Sequence, residues 1–174
     1  MIKKFLLLTI FIFVQFNFNS VFSHILHYKK INKLKYDLYR NNQLIGHHIY
    51  SFTRDGKNLK VTSKINFKIK KMGIIFYQYF AESEEKYIDD EFNSFSSITI
   101  QNKKNKFCNI YKKGDDFFIE GSSYTGKAPD RTIIGTWWNH LIIESKSQIS
   151  AVSGRIIEQN VKYIGKENIK MYDK

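Results

Sequence analysis

The residues able to do chemistry fall in few places. Carboxylates crowd between positions 82 and 91 as Glu82, Glu84, Glu85, Asp89, Asp90 and Glu91. If this stretch is a strand, Glu82 and Glu84 share one face, and Glu85 points to the other with Tyr79, Ala81, Ser83 and Tyr87. Two carboxyls across a cleft are what glycoside hydrolysis needs, one to protonate the leaving oxygen and one to attack or to activate water. Near a hairpin end, however, acids usually form a wet face that balances neighbouring lysines, and that is the expectation for Glu82 and Glu84. Glu85 differs, because an acid among aromatics on an inward face needs a partner such as a lysine or a tyrosine hydroxyl.

The other reactive types are scattered. His47 and His48 are adjacent, so in a strand they point to opposite faces and cannot share a metal. His24 and His27 lie near an expected new amino terminus, where an amine and an imidazole can chelate copper, but further placed ligands are missing. His140 follows Trp137 and Trp138 and reads as a histidine at the rim of the sheet. Cys108 is the only cysteine, which excludes an intramolecular disulfide and a thiolate metal cluster; between Phe107 and Ile110 it reads as core filler. No HExxH, CxxC, nucleophile elbow or glycine-rich loop before a helix occurs in the sequence. The expectation is a non-enzymatic protein with no cofactor and no metal.

Charge and the amino terminus set the compartment. The 174 residues carry a formal charge of +12, yet only four of the 28 basic residues are arginine: Arg40, Arg54, Arg131 and Arg155. Specific readers of nucleic acid rely on the arginine fork, so a lysine-dominated surface argues against a nucleic-acid partner and leaves an anionic envelope surface as the basic-patch partner. Lys3 and Lys4 precede the apolar run Phe5 to Phe16, and Val21 and Ser23 fit the −3 and −1 positions of a cleavage site. Residues 1–23 therefore read as a signal peptide cleaved after Ser23, with export to the periplasm or beyond. The mature chain would keep +10, with residues 24–34 as a basic leader and 35–174 as a single domain.

The elements that must position these residues are strands. Leu59, Val61, Ser63, Ile65, Phe67 and Ile69 alternate with Lys60, Thr62, Lys64, Asn66, Lys68 and Lys70, the pattern of a half-buried strand. Turn signals at Asp55-Gly56, Lys71-Met72-Gly73, Asp89-Asp90, Asn102 to Asn105, Gly114-Asp115 and Gly121 to Ser123 cut the chain into runs rich in β-branched and aromatic residues. Without helical segments between them, these runs predict an all-β fold, a single curled antiparallel sheet or open barrel. One short helix is expected near 136–144, where Trp137, Trp138, Leu141 and Ile142 recur at near-helical spacing behind Thr136 as N-cap. Arg155 to Lys166 returns to strand character.

The opening hairpin YDLYRNNQLIGHHIYSFTRDG (36–56), the run YFAESEEKYIDDEFNSF (79–95) and GTWWNHLI (135–142) resemble a family of exported bacterial proteins of unknown function that form one wrapped antiparallel sheet. Glu85, the aromatic at Tyr87 and the turn at Asp89-Asp90 fall where that family places an acid, an aromatic and a glycine-rich turn. Trp138 and Asn139 match its tryptophan-asparagine element. The resemblance implies an extracytoplasmic domain of lipocalin-like or lipoprotein-carrier-like outline, with no reaction to carry over. Members of the family continue past the position of Lys174, which makes this chain read as a carboxy-terminally shortened one with an exposed sheet edge. The expected function is to hold an apolar or amphipathic, lipid-like ligand on the aromatic face, with Trp137, Trp138, Asn139, His140, Tyr79, Glu85 and Tyr87 as candidate contacts. The alternative is an interaction module docking through its lysines on anionic lipid, glycan or a protein partner.

Overall fold

The computed structural model describes residues 28, 30–130 and 132–168. The expected signal peptide, its cleavage site, His24, His27 and Arg131 lie outside the described residues. Eight strands follow one another as an antiparallel meander: β1 (Lys33–Arg40), β2 (Gln43–Asp55), β3 (Asn58–Lys71), β4 (Ile74–Ile88), β5 (Glu91–Gln101), β6 (Lys104–Lys113), β7 (Asp116–Gly121) and β8 (Thr125–Lys127). Spatial order equals chain order, and β1 does not meet β8, so the sheet is open rather than a closed barrel.

The turns explain this regularity. Four connections are two-residue turns with both central residues left-handed: Asn41-Asn42, Met72-Gly73, Asp89-Asp90 and Asn102-Lys103. That conformation matches the right-handed twist of the flanking strands and is the usual hairpin solution. Gly56 and Gly114 open the two remaining turns between long strands, at φ 59° and 65°. In an antiparallel meander alternate turns fall at opposite ends. The β1–β2, β3–β4 and β5–β6 turns share one end, and the β2–β3, β4–β5 and β6–β7 turns share the other.

Period-two alternation then sorts the side chains. One face carries Tyr50 and Phe52 of β2, Leu59 and Val61 of β3, Glu85 and Tyr87 of β4, Phe95 of β5, Cys108 and Ile110 of β6 and Ile119 of β7, all buried. A C-terminal lobe covers this part of the face. It contains β9 (Ile133–Ile134), a 3-10 helix (His140–Ile143), β10 (Ser147–Ile149) and β11 (Ile156–Glu158). These three strands form a second small sheet in which β10 runs antiparallel to β11 but parallel to β9. Trp138 from this lobe joins Tyr50, Phe52, Leu59, Val61 and Tyr87 in one core cluster, and Ile134 and Ile149 join Phe95, Cys108, Ile110 and Ile119 in another.

The expected all-β fold on one long antiparallel sheet is what the structure shows, and three details within it differ. The helix over 136–144 is reduced to the 3-10 turn His140–Ile143, and its N-cap is Asn139, whose Oδ1 accepts from the Leu141 N–H at 3.1 Å, not Thr136. The segment before it is held by distant partners: Gly135 N–H donates to Ile149 O at 2.9 Å and Trp138 Nε1–H donates to Glu85 at 2.8 Å, which ties this stretch to β10 and β4. The single sheet is accompanied by a second one with a parallel pair. The strand expected from Arg155 to Lys166 is limited to Ile156–Glu158, after which the chain leaves the sheet.

The lobe docks through a close backbone approach. A Cβ on Gly154, which has φ +76°, would meet Ile119 Cγ2 at 2.9 Å and Gly121 Cα at 3.1 Å, and one on Gly121 would meet Ser153 O at 2.6 Å. Ser123 N–H donates to Ser153 O at 2.9 Å, and Ser97 Oγ donates to Ala151 O, tying the same turn to β5 and to the loop after β7. Gly154→Ala must therefore accept both a left-handed backbone and a clash with β7. A loss of about 1–3 kcal/mol is expected, read as a lower midpoint in thermal or urea unfolding; an unchanged midpoint would show that the turn does not pack as described.

Candidate functional site

Glu85 and Tyr87 lie two residues apart on β4, so both point to the covered face. The Glu85 carboxyl, only 2% exposed, is held from both sides: Trp138 Nε1–H donates to Oε1 at 2.8 Å and the Tyr87 hydroxyl donates to Oε2 at 2.9 Å. Trp138 itself sits edge-on to Phe52 and Tyr87, with ring centroids 5.5 and 6.0 Å away, the arrangement favoured by aromatic quadrupoles. Tyr50, 2% exposed, packs in the same core cluster as Trp138. One acid on β4 thus fixes the position of the lobe that crosses above it.

Electrostatics follow from this burial. Loss of water pushes the Glu85 carboxyl from 4.5 up to about 7, against the opposing pull of Trp138, Tyr87 and Thr136. Burial, and then the charge of Glu85, raise the Tyr87 hydroxyl well above its ordinary value. Burial also lowers His48, whose Nε2 lies 2.8 Å from Ser63 Oγ. Cys108 is fully buried and its thiol is pushed up to about 12, the state of an inert core residue.

Beside Glu85 a cleft of about 790 Å³ opens between the lobe and the β4–β5 and β6–β7 turns. Its floor is apolar, with Phe92, Ile110, Phe117, Ile134, Leu141 and Ile149. Its polar wall combines Glu85, Tyr87, Thr132, Thr136, Asn139 and Ser145 with a run of acids, Asp90, Glu91, Asp115, Asp116, Asp130 and Glu144, and among the described residues no lysine, arginine or histidine lines it. Asp116 is paired with Lys127 at 2.8 Å, with both side chains about half exposed. Thr136 Oγ1 is buried and makes no well-formed hydrogen bond, though it stands near enough to Glu85 to influence it. Among the described residues no group of three His, Cys, Asp or Glu side chains is placed to hold a metal ion.

Of the candidate contacts, the structure brings Glu85, Tyr87, Trp138 and Asn139 together, with Glu85, Tyr87 and Asn139 on the cleft wall. Trp137 and Trp138 part company: Trp138 is 2% exposed and Trp137 is 87% exposed. His140 begins the 3-10 helix outside the cleft lining, and Tyr79 lies farther along β4, stacked on Phe67 at 5.3 Å. Glu82 and Glu84 occupy the wet face, paired with Lys64 at 2.5 Å and with Lys86 at 3.1 Å. Sequence reasoning missed the carboxylate rim. Its signal was the recurrence of acids at the β4–β5 and β6–β7 turns, which the meander places at one end.

The fold and site define an all-β protein with an open meander sheet, one face of which is closed by a C-terminal lobe around a buried acid. The chain belongs to a family described as a domain of unknown function (DUF6134), which matches residues 36–174. No curated protein and no solved structure matches it.

The raised pKa of Glu85 has a definite sign. Because the folded state holds the proton more tightly, the stability it confers is complete below pH 4.5 and is lost as pH rises toward and past about 7. E85Q imitates the protonated acid and lacks this dependence. Its unfolding free energy should exceed that of the parent by an amount that grows on the order of 3 kcal/mol through this window and then levels off. A difference independent of pH would contradict the raised value. Trp138→Phe, which removes the donor to Oε1, should cost about 2 kcal/mol or more in chemical unfolding at neutral pH.

Proposed function

We propose that this chain is an exported, non-enzymatic binding protein that takes a cationic amphipathic ligand into the cleft beside Glu85. The observation that carries this reading is the lining of the cleft: an apolar floor under a rim of carboxylates with, among the described residues, no basic side chain, in a chain whose formal charge is +12. Its volume lies within the range of about 300–1,000 Å³ typical of small-molecule sites. An apolar tail gains about 25 cal/mol for each Å² taken from water, and a positive head group removed from water needs the facing carboxylates to offset its desolvation. The Thr136 hydroxyl offers such a ligand an unused hydrogen-bonding group in the wall. Export is supported by the lysine-led apolar run at the amino terminus and its small-residue cleavage site.

Calorimetric titration with dodecyltrimethylammonium and dodecyl sulfate, both below micelle formation, tests this reading. The cationic amphipath should bind and the anionic one should not. Ala128→Trp, which fills the cleft, should abolish binding, and the double change Asp90→Asn with Asp115→Asn should weaken it several-fold. Equal affinity for both head groups would overturn the charge assignment, and binding unaffected by Ala128→Trp would overturn the cleft as the site.

A further inference from the structure

We propose that the opposite end of the sheet, built around the β3–β4 hairpin, is a docking surface for an anionic phospholipid bilayer. The charges of this protein are segregated by hairpin end. The acids of the turns lie at Asp55, Asp89-Asp90 and Asp115, all at the cleft end. No acid occurs from residue 56 to 81, a stretch that holds six lysines, and none occurs from 38 to 54 or from 92 to 114. The β1–β2, β3–β4 and β5–β6 turns accordingly present Arg40, Lys70, Lys71, Lys103 and Lys104 together at the other end.

That end also carries an apolar tip. Met72 is 93% exposed, Ile74 65% and Phe76 63%. The Met72 backbone is left-handed at φ 50°, a conformation that the other three turns of this kind give to asparagine, aspartate or lysine. A bulky apolar residue is disfavoured there on steric grounds, and it is placed where it meets only solvent. Beside the tip, a groove of about 1100 Å³ on the outer side of β2 and β3 is lined by Arg40, Lys64, Lys68, Lys70 and Lys71 and, among the described residues, by no carboxylate. The nearest acids are engaged, Glu82 with Lys64 at 2.5 Å and Asp37 with His47 at 2.8 Å. Among the described residues Arg40, Lys68, Lys70 and Lys71 form no ion pair.

The combination selects the partner. A purely basic patch would suit any polyanion, but exposed Met72, Ile74 and Phe76 gain nothing from a glycan or a nucleic-acid backbone. At a bilayer boundary the same side chains enter the acyl region while the flanking lysines stay among the head-group phosphates. The inference is independent of the cleft reading and, if both hold, the cleft faces away from the membrane.

Co-sedimentation with large vesicles decides it. The protein should bind vesicles holding about 30 mol % phosphatidylglycerol in phosphatidylcholine, and should not bind phosphatidylcholine alone. Binding should weaken steeply with added salt. Lys70→Glu with Lys71→Glu should reduce it by at least about twenty-five-fold, roughly fivefold for each lysine lost, and Ile74→Ser with Phe76→Ser by about tenfold or more. These side chains are exposed, so the unfolding midpoint should stay unchanged in both variants. Absence of binding to the anionic vesicles, binding that ignores the tip variants, or binding to heparin without binding to vesicles would each overturn the proposal. So would self-association of the parent, seen by analytical ultracentrifugation without lipid, that Ile74→Ser with Phe76→Ser abolishes.

Discussion

The structure depends on a single buried carboxyl. Glu85 sits under the C-terminal lobe with an indole donor on one oxygen and a phenol donor on the other. An acid in that position is costly unless both oxygens are satisfied, so the contact fixes which tryptophan turns inward. With Trp138 inserted among Phe52, Tyr87 and Tyr50, the lobe can lie only one way across the sheet. That placement closes the core over β5 to β7 and leaves the cleft between the lobe and the acidic turns. The same carboxyl therefore serves the packing of the domain and the wall of its candidate site.

A second constraint comes from the topology. A meander of hairpins sends every other turn to the same end, so a sequence that puts acids at alternate turns produces a molecule with two unlike ends. The cleft end gathers carboxylates around an apolar floor, and the far end gathers lysines around an apolar tip. Net charge conceals this, because +12 describes neither end. Partners are selected by the local field of each surface rather than by the sum.

Much of the meander was legible in the sequence. Alternation in β3 and the turn pairs at 55–56, 72–73, 89–90 and 114–115 encode local geometry that neighbouring residues impose by themselves. The opposite fates of Glu82 and Glu85 followed from the same period of two. What was not legible required distant partners. Trp137 and Trp138 have the same side chain, and only a contact to Glu85 53 residues away determines which is buried. The near-helical spacing over 136–144 suggested a helix, but Gly135 is bonded to Ile149 and Trp138 to Glu85, so tertiary contacts override the local pattern. The parallel pairing of β9 with β10 left no periodic signal, because two- and three-residue strands are too short to show one. Tyr79 shares the face of Glu85 by period two and His140 follows the paired tryptophans, but the first lies farther along β4 and the second at the head of the 3-10 helix, both outside the cleft lining.

The central claim is that Glu85 is a buried acid forming the wall of a cleft suited to a cation. It can be tested directly by following the side-chain carboxyl carbon of Glu85 by NMR as pH is varied, with and without a saturating cationic amphipath. The account predicts a titration midpoint of about 7 in the free protein, and a lower midpoint once a positive head group stands beside the carboxylate. A midpoint near the ordinary 4.5 in the free protein, or one that does not move when the cation binds, would contradict it.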